Sequence, residues 1–156
     1  MIKIDLLKNQ LHTLPDLAQM WHEGLGRIWL PEVSVAEAER RFSEHANVDK
    51  MPLTYVALHE GNAVGMCSLR ENDGIRPDLT PWLGSLAVNE NYRKQGIARQ
   101  LIEVVKQEAK KWGFSALYLF AFDLTIPQYY QSLGWNIIAT DNFKGHPVTV
   151  MKIRCF

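Results

Sequence analysis

The chain has 156 residues, 47% of them hydrophobic, which suits one domain with a sizeable core. Seventeen basic and seventeen acidic residues leave no net charge, a balance that argues against a general binder of nucleic acid or of a membrane surface. Cys67 and Cys155 form no C-x-x-C pair and the five histidines show no metal-ligand spacing, so no metal is expected.

The first residues, MIKIDLLKNQLHTLPD, hold no long apolar stretch or cleavage pattern, and no run is long enough to cross a bilayer. A cytoplasmic protein with reduced thiols is the expectation. Ile2 to Leu7 alternates apolar and polar residues and predicts a half-buried strand. From Leu14 to about Trp29, residues Leu14, Leu17, Ala18, Trp21 and Leu25 recur at helical spacing, with Gly24 and Gly26 expected to fray or end the helix. Ser34 and Glu37 form an S-x-x-E capping box, which predicts a second helix through Arg41 and Phe42 before Pro52 closes the loop beyond.

Thr54 to Leu58 and Ala63 to Arg70 flank the turn Glu60-Gly61-Asn62 and read as a hairpin, with Cys67 a buried small residue. Gly74, Pro77 and Pro81 mark Glu71 to Pro81 as a loop before a strand at Trp82 to Val88. A long helix follows. Its apolar face carries Ile97, Leu101, Val104, Val105 and Trp112, its polar face Arg99, Glu103, Lys106, Gln107 and Lys110, and Gly113 stops it. Ser115 to Phe122 reads as a strand, Pro127 to Leu133 as a short helix, and Trp135 to Thr140 with Val148 to Ile153 as a closing hairpin around Gly145. Strand, crossover helix and strand imply a parallel pair within an otherwise antiparallel sheet, so residues 1–156 read as one mixed α/β domain.

The chemistry is concentrated in LGSLAVNENYRKQGIARQLI, Leu83 to Ile102, where a strand runs through one glycine-bearing turn into the long helix. Arg93, Gly96 and Ala98 stand at R-x-x-G-x-A spacing, with small residues where a diphosphate would approach the main chain. The first turn of a helix carries N–H groups without internal partners and about half a positive charge, so Gln95 to Arg99 would offer donors to an anion. A Walker loop would need Gly-Lys-Ser/Thr, and Gly96 is followed by Ile97 and Ala98; a G-x-G-x-x-G dinucleotide fingerprint is absent as well.

This turn, followed by Tyr129-Tyr130-Gln131-Ser132-Leu133-Gly134-Trp135, resembles the GCN5-related N-acetyltransferase (GNAT) family, whose acetyl-coenzyme A pyrophosphate sits on such a turn and whose aromatic-Tyr-x-x-Leu-Gly-aromatic segment follows in the same order. The resemblance covers about Trp82 to Trp135. It implies a mixed, mostly antiparallel sheet of six to seven strands with a central parallel pair and flanking helices. It further implies acetyl-coenzyme A as the sole cofactor, held by Arg93, Lys94, Gln95, Gly96, Ile97, Ala98 and Arg99. The main chain of Leu86, Ala87 and Val88 would pair with the pantetheine arm, and an amide at Val88 or Leu86 would bond the acetyl oxygen at a strand bulge. Tyr129 stands where the family often has Phe, packing on core or coenzyme, and Asp123 stands where the family commonly has Asn.

Acetyl transfer needs a polarised carbonyl, a proton for the departing thiolate and a way to remove a proton from nitrogen. Tyr130 is the expected general acid, since a phenol with a pKa of about 10 is protonated at neutral pH. No carboxylate lies in Trp82 to Val88, so the base is open between Asp78, Asp123 and a water chain. By the resemblance, the acceptor pocket draws on Trp21, Trp29 and Asp78, with Glu23, Glu71, Asp73 and Arg76 as further wall candidates. The acceptor is an amine, a small molecule or a peptide N-terminus, and a homodimer is left open. A non-catalytic acyl-coenzyme A module, favoured by the missing strand glutamate, and a binder of another phosphate ligand are the alternatives.

Overall fold

The computed structural model describes residues Met1–Phe156. Its strands are β1 (Ile2–Leu6), β2 (Leu53–His59), β3 (Asn62–Arg70), β4 (Trp82–Val88), β5 (Ala116–Ala121), β6 (Asn136–Phe143) and β7 (His146–Arg154). They form one seven-stranded sheet in the order β1-β2-β3-β4-β5-β7-β6, antiparallel except for β4 and β5. The mixed sheet with a central parallel pair is thus present.

Both long hairpins turn on two residues in the left-handed region, Glu60 (φ 52) with Gly61 (φ 81) and Lys144 (φ 47) with Gly145 (φ 85). Turns of that hand match the twist of the strands they join. The closing hairpin is longer than its apolar residues predict. Asp141 and Asn142 extend β6 because that strand lies at the sheet edge, where outward positions meet water.

Helix α1 (Leu14–Trp21) does not end at the glycines. It passes through a π-helical turn, His22–Gly26, into the one-turn α2 (Arg27–Trp29). Gly26 is the reason: the Trp21 ring lies against it, leaving no room for a side chain. Helix α3 (Val35–Ser43) begins as the capping box predicts, with Ser34 Oγ accepting from Glu37 N at 3.1 Å. The reciprocal half of the box is missing, because the Glu37 carboxylate is engaged by Arg40 and Arg41.

The sheet separates two apolar layers. On one face, Ile97, Leu101, Ile102, Val105 and Ala109 of α4 (Ile97–Lys111) and Tyr130 of α5 (Ile126–Ser132) pack on Cys67, Leu69, Leu83 and Leu117. On the other, α1 and α3 pack on Val56, Met66 and Ala87. A third cluster, Ile75, Trp82, Val148 and Val150 with Phe120, Phe122 and Phe143, extends that second face towards the β6–β7 hairpin. No helix is long and apolar enough to cross a membrane.

Candidate active site

Two departures from regular pairing open the middle of the sheet. Strands β4 and β5 pair only at Trp82 and Tyr118 and then part, so the rest of β4 has no strand partner on that side. Towards β3, Met66 pairs with Ala87 and Ser68 with Gly84, so Ser85 and Leu86 together face Cys67. This is a β-bulge, with Ser85 held at φ 50. Leu86 and Val88 direct their side chains to the α4 layer and Ala87 to the α1 layer, leaving the main chain of all three at the gap.

The chain leaving β4 builds the anion cradle. Arg93 is extended and its Nε reaches Val88 O at 3.4 Å, Lys94 turns left-handed at φ 63, and Gly96 at φ 79 starts α4 without a side-chain cap. The first bond of the helix is Gln100 N to Gly96 O at 3.0 Å. The N–H groups of Gln95 to Arg99 consequently have no partner within the protein, and all but that of the buried Ile97 belong to exposed or half-buried residues. Such a row of free donors at the positive end of a helix dipole suits a diphosphate.

Helix α5 brings the tyrosines to the α4 face. Tyr130 is buried among Cys67, Leu83 and Trp135, edge-on to both Trp135 and Tyr129. Burial first, then the Cys67 thiol and the Tyr129 phenol, push its pKa well above the ordinary phenol value, so it holds its proton at neutral pH. Since Cys67 is the residue that the bulge faces, Tyr130 reaches the underside of the bulge. Tyr129 is 42% exposed and close enough to Arg99 to feel its charge, which joins α5 to the start of α4.

Asp123 is committed locally: its Oδ1 accepts from Thr125 N at 2.8 Å and Thr125 Oγ1 at 2.7 Å, and these bonds hold its carboxyl below the usual range. Of the acceptor-wall residues, Trp29 stacks on Phe122 at 4.9 Å and meets His146 edge-on at 5.5 Å, forming an aromatic wall past the end of β5. Trp21 does not belong to that wall. It is a core residue, packed on Phe42 between α1 and α3, as its helical spacing with Leu17 and Ala18 dictates. Asp78 lies at the exposed surface, where Arg76 Nη2 pairs with its carboxylate at 2.9 Å.

Sequence reasoning did not find the polar bracket at the bulge. Arg70 Nη2 donates to Ser85 Oγ at 2.6 Å and Nη1 to Asp73 Oδ1 at 3.3 Å. Arg70 and Ser85 are 15 positions apart and are joined only by the β3–β4 pairing, a non-local relation with no spacing to signal it. No group of three or more His, Cys, Asp or Glu side chains is placed to hold a metal ion.

The family model described as Acetyltransferase (GNAT) family matches residues 15–135. The chain belongs to this family and is an acyltransferase by class. No curated protein sequence matches it significantly. Among crystal structures, an aminoglycoside 6'-acetyltransferase type Ii superposes with a TM-score of 0.75 at 20% identity over 99% of this chain and 97% of that one. The ribosomal-protein-S18-alanine N-acetyltransferase from Escherichia coli gives 0.72 at 20% identity over 99% of this chain and 94% of that one. An aminoglycoside 6'-N-acetyltransferase complexed with coenzyme A gives 0.70 at 19% identity over 99% of this chain and 97% of that one. At these identities the likeness is one of fold.

Proposed function

We propose that the protein moves the acetyl group of acetyl-coenzyme A to a primary amine by direct attack. The observation that carries this reading is the juxtaposition of three features: free N–H groups of Gln95 to Arg99, the parted β4–β5 pair, and protonated Tyr130 beneath the bulge. The diphosphate would sit on the α4 start, the pantetheine arm would pair with Leu86 to Val88 as a missing strand would, and an amide at Leu86 or Val88 would bond the acetyl oxygen. A lost donor of that kind costs about 10² to 10³ in rate.

Tyr130 would give its proton to the coenzyme A thiolate as it leaves. Its high pKa keeps the phenol ready for that step and makes a lasting phenolate unfavourable. The acceptor is a small amine or a peptide N-terminus. Relatives by fold include enzymes named for an aminoglycoside and for a ribosomal protein's alanine, one acceptor of each kind. An α-amine with a pKa of about 8 is neutral in roughly one molecule of ten at pH 7, far more than a lysine-like amine, which favours the less basic acceptor.

Thiol release with a panel of peptides with free N-termini, polyamines and aminoglycosides tests the reading. Tyr130→Phe is expected to lose most turnover while still binding acetyl-coenzyme A. Full activity in that variant would remove Tyr130 from the mechanism, and silence of the native chain with every amine would favour a non-catalytic acyl-coenzyme A module.

A further inference from the structure

Strand β4 carries no carboxylate, Asp78 gives both its oxygens to Arg76 at the surface, and Asp123 is exposed, with its carboxyl held below the usual range by Thr125. We propose that the general base is Asp73, a loop carboxylate that Arg70 holds in the space left by Gly84, one residue before the bulge. The proposal rests on the acetyl-transfer reading above and names the proton acceptor for that same site.

Four observations place Asp73 there. A Cβ on Gly84 would lie 3.1 Å from Arg70 Nε and 3.4 Å from Asp73 Oδ1, so the ion pair packs directly on the main chain of β4. The Arg70 guanidinium also bonds Ser85 Oγ, so one side chain fixes the carboxylate relative to the bulge residue itself. The next residue, Gly74, rests on the Phe143 ring, where a Cβ would lie 2.7 Å from Cε2; this presses the loop between the strand and the aromatic wall. Finally, Asp73 Oδ2 has no hydrogen-bond partner in the protein, and the side chain keeps 15% of its surface exposed, leaving one oxygen reachable.

The face matters as much as the position. Side chains alternate along a strand, so Gly84 and Trp82 look to the α1 side while Leu83 looks to the α4 side with Tyr130. Asp73 and Tyr130 therefore flank the β4–β5 gap from opposite faces. A thioester in the gap would present its carbonyl carbon to an amine from the Asp73 side and its sulfur to the phenol from the other. Burial of Asp73 outweighs the attraction of Arg70, the one charge that acts on it, and raises its pKa to about 6. That value suits a base working near neutrality.

The protons balance. The Asp73 carboxylate takes one proton from the ammonium, and the freed nitrogen lone pair forms the C–N bond. The C–S bond then breaks with its electron pair on sulfur, which takes the Tyr130 proton; Asp73 passes its first proton to water, takes the surplus proton from the nitrogen on its own face and releases that one to water as well, and Tyr130 regains a proton from water.

The test is the pH dependence of kcat/KM for thiol release, with the best amine of the panel, in the native chain and in Asp73→Asn. The native profile is expected to level off between about pH 6 and the pKa of the amine. The Asn variant is expected to fall by about 10² or more at pH 7, and to rise tenfold per pH unit up to the amine pKa, because only neutral amine then reacts. Acetyl-coenzyme A binding and the unfolding midpoint should stay near native, and Asp73→Glu should recover part of the rate and the plateau. An Asn variant with the native rate and profile overturns the assignment, as does loss of coenzyme binding or fold in Asn with no recovery in Glu. A native chain that releases no thiol with any amine overturns acetyl transfer itself, and the base with it.

Discussion

Gly26 lies under the indole of Trp21, so close that an added methyl would sit 2.5 Å from Cζ3 and 2.9 Å from Cη2. The ring is anchored by Phe42 and cannot swing away freely. Gly26→Ala is therefore expected to destabilise the protein by about 1–3 kcal/mol despite the better helix propensity of alanine. Gly24 is the control: nothing lies within 4 Å of its added Cβ. Gly24→Ala should be neutral or stabilise by up to about 1 kcal/mol, and urea unfolding of the two variants separates packing from propensity.

Gly96 tests the cradle. Its added Cβ would meet nothing within 4 Å, yet φ 79 is strained for any L side chain. Gly96→Ala should cost about 1–2 kcal/mol of local conformation and weaken acetyl-coenzyme A, measured by calorimetry, more than it lowers the unfolding midpoint. Lys94→Gly, at φ 63, should stabilise the same turn or leave it unchanged.

The start of α3 separates a cap from surface charge. Ser34→Ala removes the bond to Glu37 N and should cost about 1 kcal/mol. Glu37→Gln loses only solvent-screened pairs to Arg40 and Arg41 and should lower the thermal unfolding midpoint less than Ser34→Ala does at moderate salt.

Stability against pH carries two opposed contributions. His45 is buried against Thr54, and burial first, then the Arg70 charge, push its pKa down to about 3. The unfolded chain protonates it near pH 6.5 while the fold does not, so this group costs stability as pH falls from about 6.5 towards 3, by up to ~1.4 kcal/mol per unit. Asp73 works the other way. Its pKa is raised to about 6, so between about pH 6 and 4 the fold keeps a proton that the unfolded chain has lost, and stability is regained as pH falls. The two slopes largely cancel across that window. Asp73→Asn is expected to lose stability more steeply on acidification than the native chain, and His45→Gln less steeply, in urea titrations from pH 7 to 4. Equal slopes in all three would mean that neither group is perturbed.

What the sequence made legible was local. Ser34 caps because its partner is three residues away, and Gly96 starts a helix because a left-handed residue joins an extended segment to an amphipathic one. The strand Trp82–Val88 was readable to the residue from its apolar run between Pro81 and Asn89. The bulge was not readable from its own residues, since a serine at positive φ has no local preference for that state. It is fixed by Arg70 reaching across from β3. Trp21 and Trp29 differ for a similar reason: only the π-turn between them decides that one faces the core and the other the aromatic wall. Asp73 was legible as a candidate for the acceptor wall but not as a base, because its neighbours Gly84 and Phe143 arrive from distant strands.

The lone rung between Trp82 and Tyr118 makes the sheet two sub-sheets, four strands and three, joined through a seam. A guest whose amides complete the ladder would act as a splint across that seam. Amide hydrogens of Leu86 to Val88 should then exchange more slowly in the loaded protein than in the free one, and the free molecule should tear there first under mechanical load.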